Sequence, residues 1–314
     1  MTHWRFALLL SGSLVLLAPF SFAKKESAIS DGWILVRSET FDGSLQLKNG
    51  VAFGDGGWLT PTIRRNGRIT IDKGYAHFET ADFRDSALLR ITDSLPAEYK
   101  IRVKLGLVHY SISNYTDTDF NTPGFKYNRR YLENGFYWLT LTDRAVEESS
   151  GEDWWHRYRK VVVDSDDHIE QRLPVYMVYM NPGLGNPDMD RNSPPGDWIG
   201  GKTDLLRTWS GGRWHAEPDN WEVAFHYDEG AWYSVELEKF HDHLILRVLD
   251  ADGGVIEEAD PVPVDLIYAM GRQASPLEYA YVGEPHIDSY KGDALVDEIQ
   301  LFVPASHSKV EAKP

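Results

Sequence analysis

Tyr99–Tyr110 reads YKIRVKLGLVHY. Ile101, Val103, Leu105 and Leu107 fall on one side of an extended chain, and Lys100, Arg102 and Lys104 fall on the other. Successive side chains of a strand point to opposite faces, so this period-two pattern describes a strand with one dry face and one wet face. Similar runs recur at Trp33–Arg37, Arg68–Ile71, Tyr75–Glu79, Ala87–Ile91, Phe136–Thr142 and Lys160–Asp164. They continue at Val175–Met180, Trp221–Tyr227, Trp232–Glu238, Leu244–Asp250 and Leu295–Val303. Turn dipeptides separate them: Asp42-Gly43, Asn49-Gly50, Asn66-Gly67, Lys73-Gly74 and Asp252-Gly253. No stretch shows a long apolar stripe at helical spacing; Pro263–Gly271 offers at most one or two helical turns. About a dozen strands without a helical layer predict an all-β fold, a two-sheet antiparallel sandwich or jelly roll.

Two insertions break the rhythm. Asn181–Asn220 holds five Pro and seven Gly together with Trp198, Trp209 and Trp214. A connection of that length is usually functional or disordered, and its tryptophans favour an ordered excursion lying on the sandwich. Ser113–Tyr131 is a shorter insertion rich in Tyr, Asn and Asp. The expected organisation is a leader over 1–23, a linker over 24–32, a single jelly-roll domain over 33–304 and a tail over 305–314.

Composition narrows the partners. The chain has 314 residues, no Cys and a formal net charge of −16. Without Cys there is no disulfide framework, thiolate metal site or thiol nucleophile. The negative field disfavours sequence-independent nucleic-acid binding and adhesion to anionic membrane. Arg5, the apolar run Phe6–Phe20 and the small residues Ser21 and Ala23 describe a cleavable export signal, with cleavage expected after Ala23. The run is too short to span a bilayer and is interrupted by Pro19. The expectation is an exported protein, free of the membrane after cleavage, in a bacterial periplasm or outside the cell.

The order of short motifs points further. Glu39-Thr40-Phe41-Asp42-Gly43 stands near the start, followed by Gly74-Tyr75-Ala76-His77-Phe78-Glu79. Trp232-Tyr233-Ser234-Val235-Glu236-Leu237-Glu238 opens a late hairpin, and the last apolar run contains Asp297-Glu298-Ile299-Gln300-Leu301. This order resembles the concanavalin A-like lectin/glucanase jelly roll over about residues 33–303. The resemblance implies a sandwich whose concave sheet holds a polysaccharide groove; many secreted members bind, hydrolyse or eliminate within polysaccharides. It also implies a structural calcium joining Asp297 to the Asp42 region, with no cofactor required for chemistry. By its phase with Leu295, Ile299 and Leu301, Asp297 is expected to face inward, and a buried carboxylate needs a partner. A hydrogen-bonded turn would serve that need equally.

The chemistry-bearing residues allow two enzyme readings and one binding reading. Glu217-Pro218-Asp219-Asn220-Trp221-Glu222 matches the Glu-x-Asp-x-x-Glu spacing of laminarinase-type glycosidases. Pro218 and Asn220 stand where that motif has apolar residues, so Glu217–Asn220 reads as a loop entering a strand. A lyase needs a Tyr or His base and a group that neutralises a uronate carboxylate. Arg90, Arg159, Tyr176, His226 and His286 are the catalytic candidates. If they converge on the concave sheet, a cationic groove in an acidic protein suggests an anionic glycan. Arg102, Trp138, Trp209, Trp214, Glu284 and Tyr290 are the substrate-binding candidates, the tryptophans as platforms for sugar rings. The cluster Gly283–Tyr290 could hold a sugar, place an acid/base pair, bind a metal, or simply cap a turn. Two further acidic runs, Asp117–Asn121 and Asp188–Asn192, imitate the opening of a calcium loop without its later ligands. His241-Asp242-His243 is expected to be an exposed turn. A non-catalytic binding module and a structural or adhesive envelope protein are the alternatives to an enzyme.

Overall fold

A computed structural model describes residues 29–30, 32–80, 86–92, 95–112, 136–142, 160–165, 168–172, 175–181, 198–203, 207–210, 213–216, 221–228, 231–264, 277–284 and 290–306. The first strands are β1 (Ile29–Ser30), β2 (Trp33–Glu39), β3 (Leu45–Gln46), β4 (Leu59–Arg64), β5 (Arg68–Asp72), β6 (Tyr75–Thr80), β7 (Ser86–Ile91) and β8 (Tyr99–Ile112). The middle of the chain gives β9 (Phe136–Thr142), β10 (Lys160–Ser165), β11 (His168–Arg172), β12 (Val175–Asn181), β13 (Trp198–Thr203), β14 (Arg207–Ser210), β15 (Arg213–Ala216) and β16 (Trp221–His226). The last are β17 (Trp232–Lys239), β18 (His243–Leu249), β19 (Val255–Glu258), β20 (Val262–Pro263), β21 (Tyr279–Glu284) and β22 (Tyr290–Pro304).

Two large antiparallel sheets dominate. An eleven-stranded sheet follows the path β19-β18-β17-β8-β22-β6-β5-β3, with β2 beside the C-terminal half of β22. The other sheet has seven strands in the order β16-β13-β12-β9-β21-β7-β4. Early and late chain therefore meet: β2 runs antiparallel to β22 from Trp33↔Pro304 to Glu39↔Ile299.

One hydrophobic cluster joins the sheets. The eleven-stranded sheet supplies Ile101, Val103, Leu105, Val235, Leu237, Leu246 and Ile299, and the seven-stranded sheet supplies Leu59, Leu89, Leu139, Leu141, Val178 and Val282. All are essentially buried. Burying each such side chain contributes about 1.5–3 kcal/mol, which is why the alternation of β8 commits that strand to one orientation. The two-sheet jelly-roll sandwich expected from the sequence is the architecture that forms.

Three features depart from the simple alternation. The Asn181–Asn220 excursion is not a loop laid on the sandwich. Part of it forms β13 inside the seven-stranded sheet, and part forms the β14–β15 hairpin of a separate four-stranded sheet, β10-β11-β14-β15. The edge strand β4 carries Pro61, opposite Leu89. The Pro61 carbonyl accepts from the Gly50 amide at 2.9 Å, away from β7, so the missing proline N–H also lies on the unpaired side. Finally, β22 shifts register between Val296 and Glu298 against β8. Val296 and Ile299 both reach the core, and Asp297 does not. The inward orientation expected for Asp297 is thus corrected: a bulge inserts one residue and reverses the phase of alternation.

Candidate functional site

A sandwich has two outward faces, and the seven-stranded sheet carries the more unusual one. Its strands place Thr60, Arg90, Tyr281, Thr140, Met177, Lys202 and Trp221 at one register across the whole sheet. Six strand spacings make this row roughly 29 Å long. The neighbours of its first four members, Leu89, Val282 and Leu139 among them, belong to the core, so Thr60, Arg90, Tyr281 and Thr140 face away from it. Tyr281 and Leu88 are fully buried and yet outside the core cluster, as that orientation requires.

Its members Thr60, Tyr281 and Thr140 are polar-tipped and closed off from solvent, and Arg90 is partly so. Thr60 is 5% exposed, while Tyr281 and Thr140 are 0% exposed. Arg90 is half-buried and has no hydrogen-bond or ion-pair partner among the described residues. The Thr140 hydroxyl is buried without a hydrogen-bond partner. Leaving such a group unsatisfied costs about 1–3 kcal/mol, so a buried orphan hydroxyl calls for a partner.

The outward face of the eleven-stranded sheet is built on the opposite plan. Ser38, Gln300, Arg102, Glu236, Arg247 and Glu258 share one register across six strands. Here the charges are paired. Arg102 donates from Nε to Glu236 at 2.9 Å, Lys100 lies 3.8 Å from both Glu236 and Glu238, and Lys104 lies 2.7 Å from Asp297. Arg247 bridges Glu236, Glu238 and Glu258. Burial holds the Lys100 ammonium below the usual lysine range, although the two glutamates oppose it. For Lys104 the hydrogen bond to Asp297 dominates and raises its pKa. A polar pocket of about 180 Å³ on this face is lined by Arg102, Lys104, Ser234, Asp252, Glu298 and Gln300.

The residues singled out from the sequence are therefore distributed rather than gathered. Arg90 lies on the seven-stranded sheet and Arg102 on the other, where Glu236 occupies its guanidinium. His226 is exposed at the end of the opposite edge strand, beyond the core-packed Phe225. It stands five strand spacings from Arg90, about 24 Å, too far to share one reacting atom. Tyr176 is in register with Leu141 and Thr203, one residue off the polar row. Trp138 sits on β9 beside Leu139, and Trp209 and Trp214 form a cross-strand register pair in the small sheet. Glu284 ends β21, and Tyr290 opens β22 opposite Ile112.

Several candidates lie outside the described residues. These are Arg159, His286, the Ser113–Tyr131 insertion, Asp188–Asn192, Trp154-Trp155 and Glu217–Asn220. The 1–23 leader, most of the helical-turn segment Pro263–Gly271 and most of the C-terminal tail lie outside them too.

The two metal candidates do not assemble a donor set. Asp42 is exposed and accepts only a long hydrogen bond from Thr40, at 3.4 Å, while Asp297 is engaged by Lys104. Among the described residues no group of three or more His, Asp or Glu is placed to hold a metal ion. His241 and Asp242 are exposed in their turn, as expected, whereas His243 opens β18 half-buried, stacked on Phe240 with ring centroids 4.5 Å apart and 2.7 Å from Asp242.

Sequence reasoning missed Thr60, Thr140 and Tyr281. Nothing in their local sequence marks them; only cross-strand register, between segments far apart in the chain, brings them into one row.

No protein-family model matches the chain, and no curated protein matches it. Solved structures similar to it include the Ulex europaeus lectin I in complex with the methyl glycoside of α-L-fucose. That likeness has 13% identity over 83% of this chain and 97% of that one, with a TM-score of 0.42. Peanut lectin is similar at 12% identity over 83% and 97% of the two chains, TM-score 0.41. A glycosyl hydrolase family 16 protein from Mycobacterium smegmatis is similar at 10% identity over 85% and 99%, TM-score 0.35. The chain's own strand pairing makes it a two-sheet antiparallel β sandwich.

Proposed function

We propose that this protein is an exported carbohydrate-binding protein whose ligand lies along the outward face of the seven-stranded sheet. The observation that carries the reading is Arg90, a half-buried guanidinium turned away from the core with no hydrogen-bond or ion-pair partner among the described residues, beside Tyr281 and Thr140, which are closed off from solvent. A partly accessible guanidinium offers several N–H donors to the oxygen atoms of a saccharide. The sequence resemblance to secreted jelly rolls that handle polysaccharides supports the same reading.

Affinity electrophoresis in gels containing neutral or acidic polysaccharides tests the proposal. Retardation by at least one polymer is expected, and Arg90→Gln is expected to weaken it several-fold. Unaltered mobility in every polymer would overturn the reading. Assays for new reducing ends and for unsaturated products on the retained polymer test the alternative that the protein also cleaves what it holds.

A further inference from the structure

We infer that the pocket on the outward face of the eleven-stranded sheet is a second ligand site, built for one neutral sugar ring. It shares no residue with the site proposed above and stands or falls separately. The pocket measures about 180 Å³. That is room for about six waters at about 30 Å³ each, and less than the roughly 300–1,000 Å³ of sites that enclose drug-sized molecules. Its floor is three adjacent strands: Gln300 and Glu298 of β22, Arg102 and Lys104 of β8, and Ser234 of β17. The turn Ala251–Gly253, between β18 and β19, forms a wall. That wall is held in shape, because Asp250 Oδ1 accepts the amides of Asp252 at 3.0 Å and Gly254 at 2.8 Å.

The polar groups of the lining define what would fill it. Ser234 is 6% exposed, opens on the pocket and has no hydrogen-bond partner for its hydroxyl among the described residues. A nearly buried hydroxyl in that position calls for a partner. The two cations are already matched, Arg102 by Glu236 and Lys104 by Asp297. Among the described residues Glu298 is held by neutral donors, Ser38 Oγ and Gln300 Nε2, each 2.8 Å from the same oxygen, Oε1. Asp252 brings a second carboxylate. With its cations neutralised and its acceptors open, the lining repels an anion and suits a ligand with several hydroxyl donors. Trp232 narrows that ligand to a sugar ring. It stands two residues before Ser234, on the same face of β17. Its ring lies across Gly106, where a Cβ would stand 2.5 Å from it, and stacks with Tyr75 at a centroid distance of 5.3 Å. Hydrogen-bonding groups beside an aromatic surface match the two characters of a pyranose.

Saturation-transfer NMR on the full chain, with titration for affinity, tests the inference. The probes are glucose, galactose, mannose and xylose, with glucuronate and glucosamine as charged counterparts. At least one neutral sugar is expected to bind with a dissociation constant on the order of 1 mM, and glucuronate at least fivefold more weakly. Ser234→Ala is expected to weaken binding fivefold or more. Ala251→Phe fills the mouth from an exposed turn position, leaves the ion pairs in place and is expected to abolish binding. Arg68→Gln, at an exposed position of β5, is expected to bind as the parent does.

The comparison among sugars needs no variant and so does not depend on how the substitutions fold. Absence of saturation transfer to every neutral sugar would overturn the inference, whatever the polymers do on the other sheet. Glucuronate or glucosamine bound more tightly than all the neutral sugars would overturn it too, since the pocket would then be reading charge. Sugar binding unchanged in a folded Ala251→Phe would place the sugar elsewhere and remove the pocket. The polymer gels report on Arg90 and the Ala251→Phe titration on this pocket, so either reading can fail alone.

Discussion

At the end of β2, Glu39 accepts the Phe41 amide at 2.9 Å, and Phe41 is a fully buried ring held at φ 55°. Burial raises the Glu39 pKa above its usual value of 4.5; the Phe41 hydrogen bond opposes that shift, and Asp42 and Asp55 add to it. A carboxyl whose folded pKa exceeds its unfolded value is favourable only while protonated, so its ionisation costs stability as pH rises through the folded value. Glu39→Gln keeps an acceptor for Phe41 and removes the charge. It is expected to raise the melting temperature at pH 7 and to leave it unchanged below pH 4, where both states of the parent are protonated. An equal effect at both pH values would refute the electrostatic assignment. Arg90 and Thr140 belong to the same scale: each is an ordinary residue in sequence, and only the absence of a partner in the fold makes it noteworthy.

Single elements show what alternation can and cannot reveal. In β8 the phase was legible because Ile101, Val103 and Leu105 stay in step with the core for the whole contact. In β22 it was not, since the shift between Val296 and Glu298 leaves no mark in the amino-acid pattern. β4 is absent from the runs read from the sequence; it carries Pro61, which an edge strand tolerates when the nitrogen faces outward. Period two also tells inward from outward without telling one sheet from the other. Arg102 was therefore rightly read as outward, yet it belongs to a face where Glu236 already holds it. β21 carries a further requirement at its end. Gly283 has φ 109°, and a Cβ there would lie 2.4 Å from the Ala87 carbonyl oxygen and 2.6 Å from the Phe78 ring. Gly283→Ala combines a left-handed backbone with an overpacked core and is expected to cost about 2–4 kcal/mol. The midpoint of urea unfolding measures it; a loss under 1 kcal/mol would show that the strand end adapts freely.

For the whole molecule, the two outward faces differ: one is tied together by its own ion pairs, and on the described part of the other Arg90 and the Thr140 hydroxyl have no partner. That division was not legible in the sequence, which set the strands and the core but could not pair Arg90 with Tyr281 and Thr140 across segments nearly two hundred residues apart. On the export proposal, mass spectrometry of the protein recovered from the envelope or medium is expected to find Lys24 as the first residue. Intact Met1 in a membrane fraction would contradict it. The most direct test of the account is a crystal structure with an oligosaccharide cut from the best-retained polymer. The account predicts sugar density on the outward face of the seven-stranded sheet, with oxygen atoms within hydrogen-bond distance of Arg90. Density over Arg102 and Gln300 on the opposite sheet, with Arg90 untouched, would contradict it.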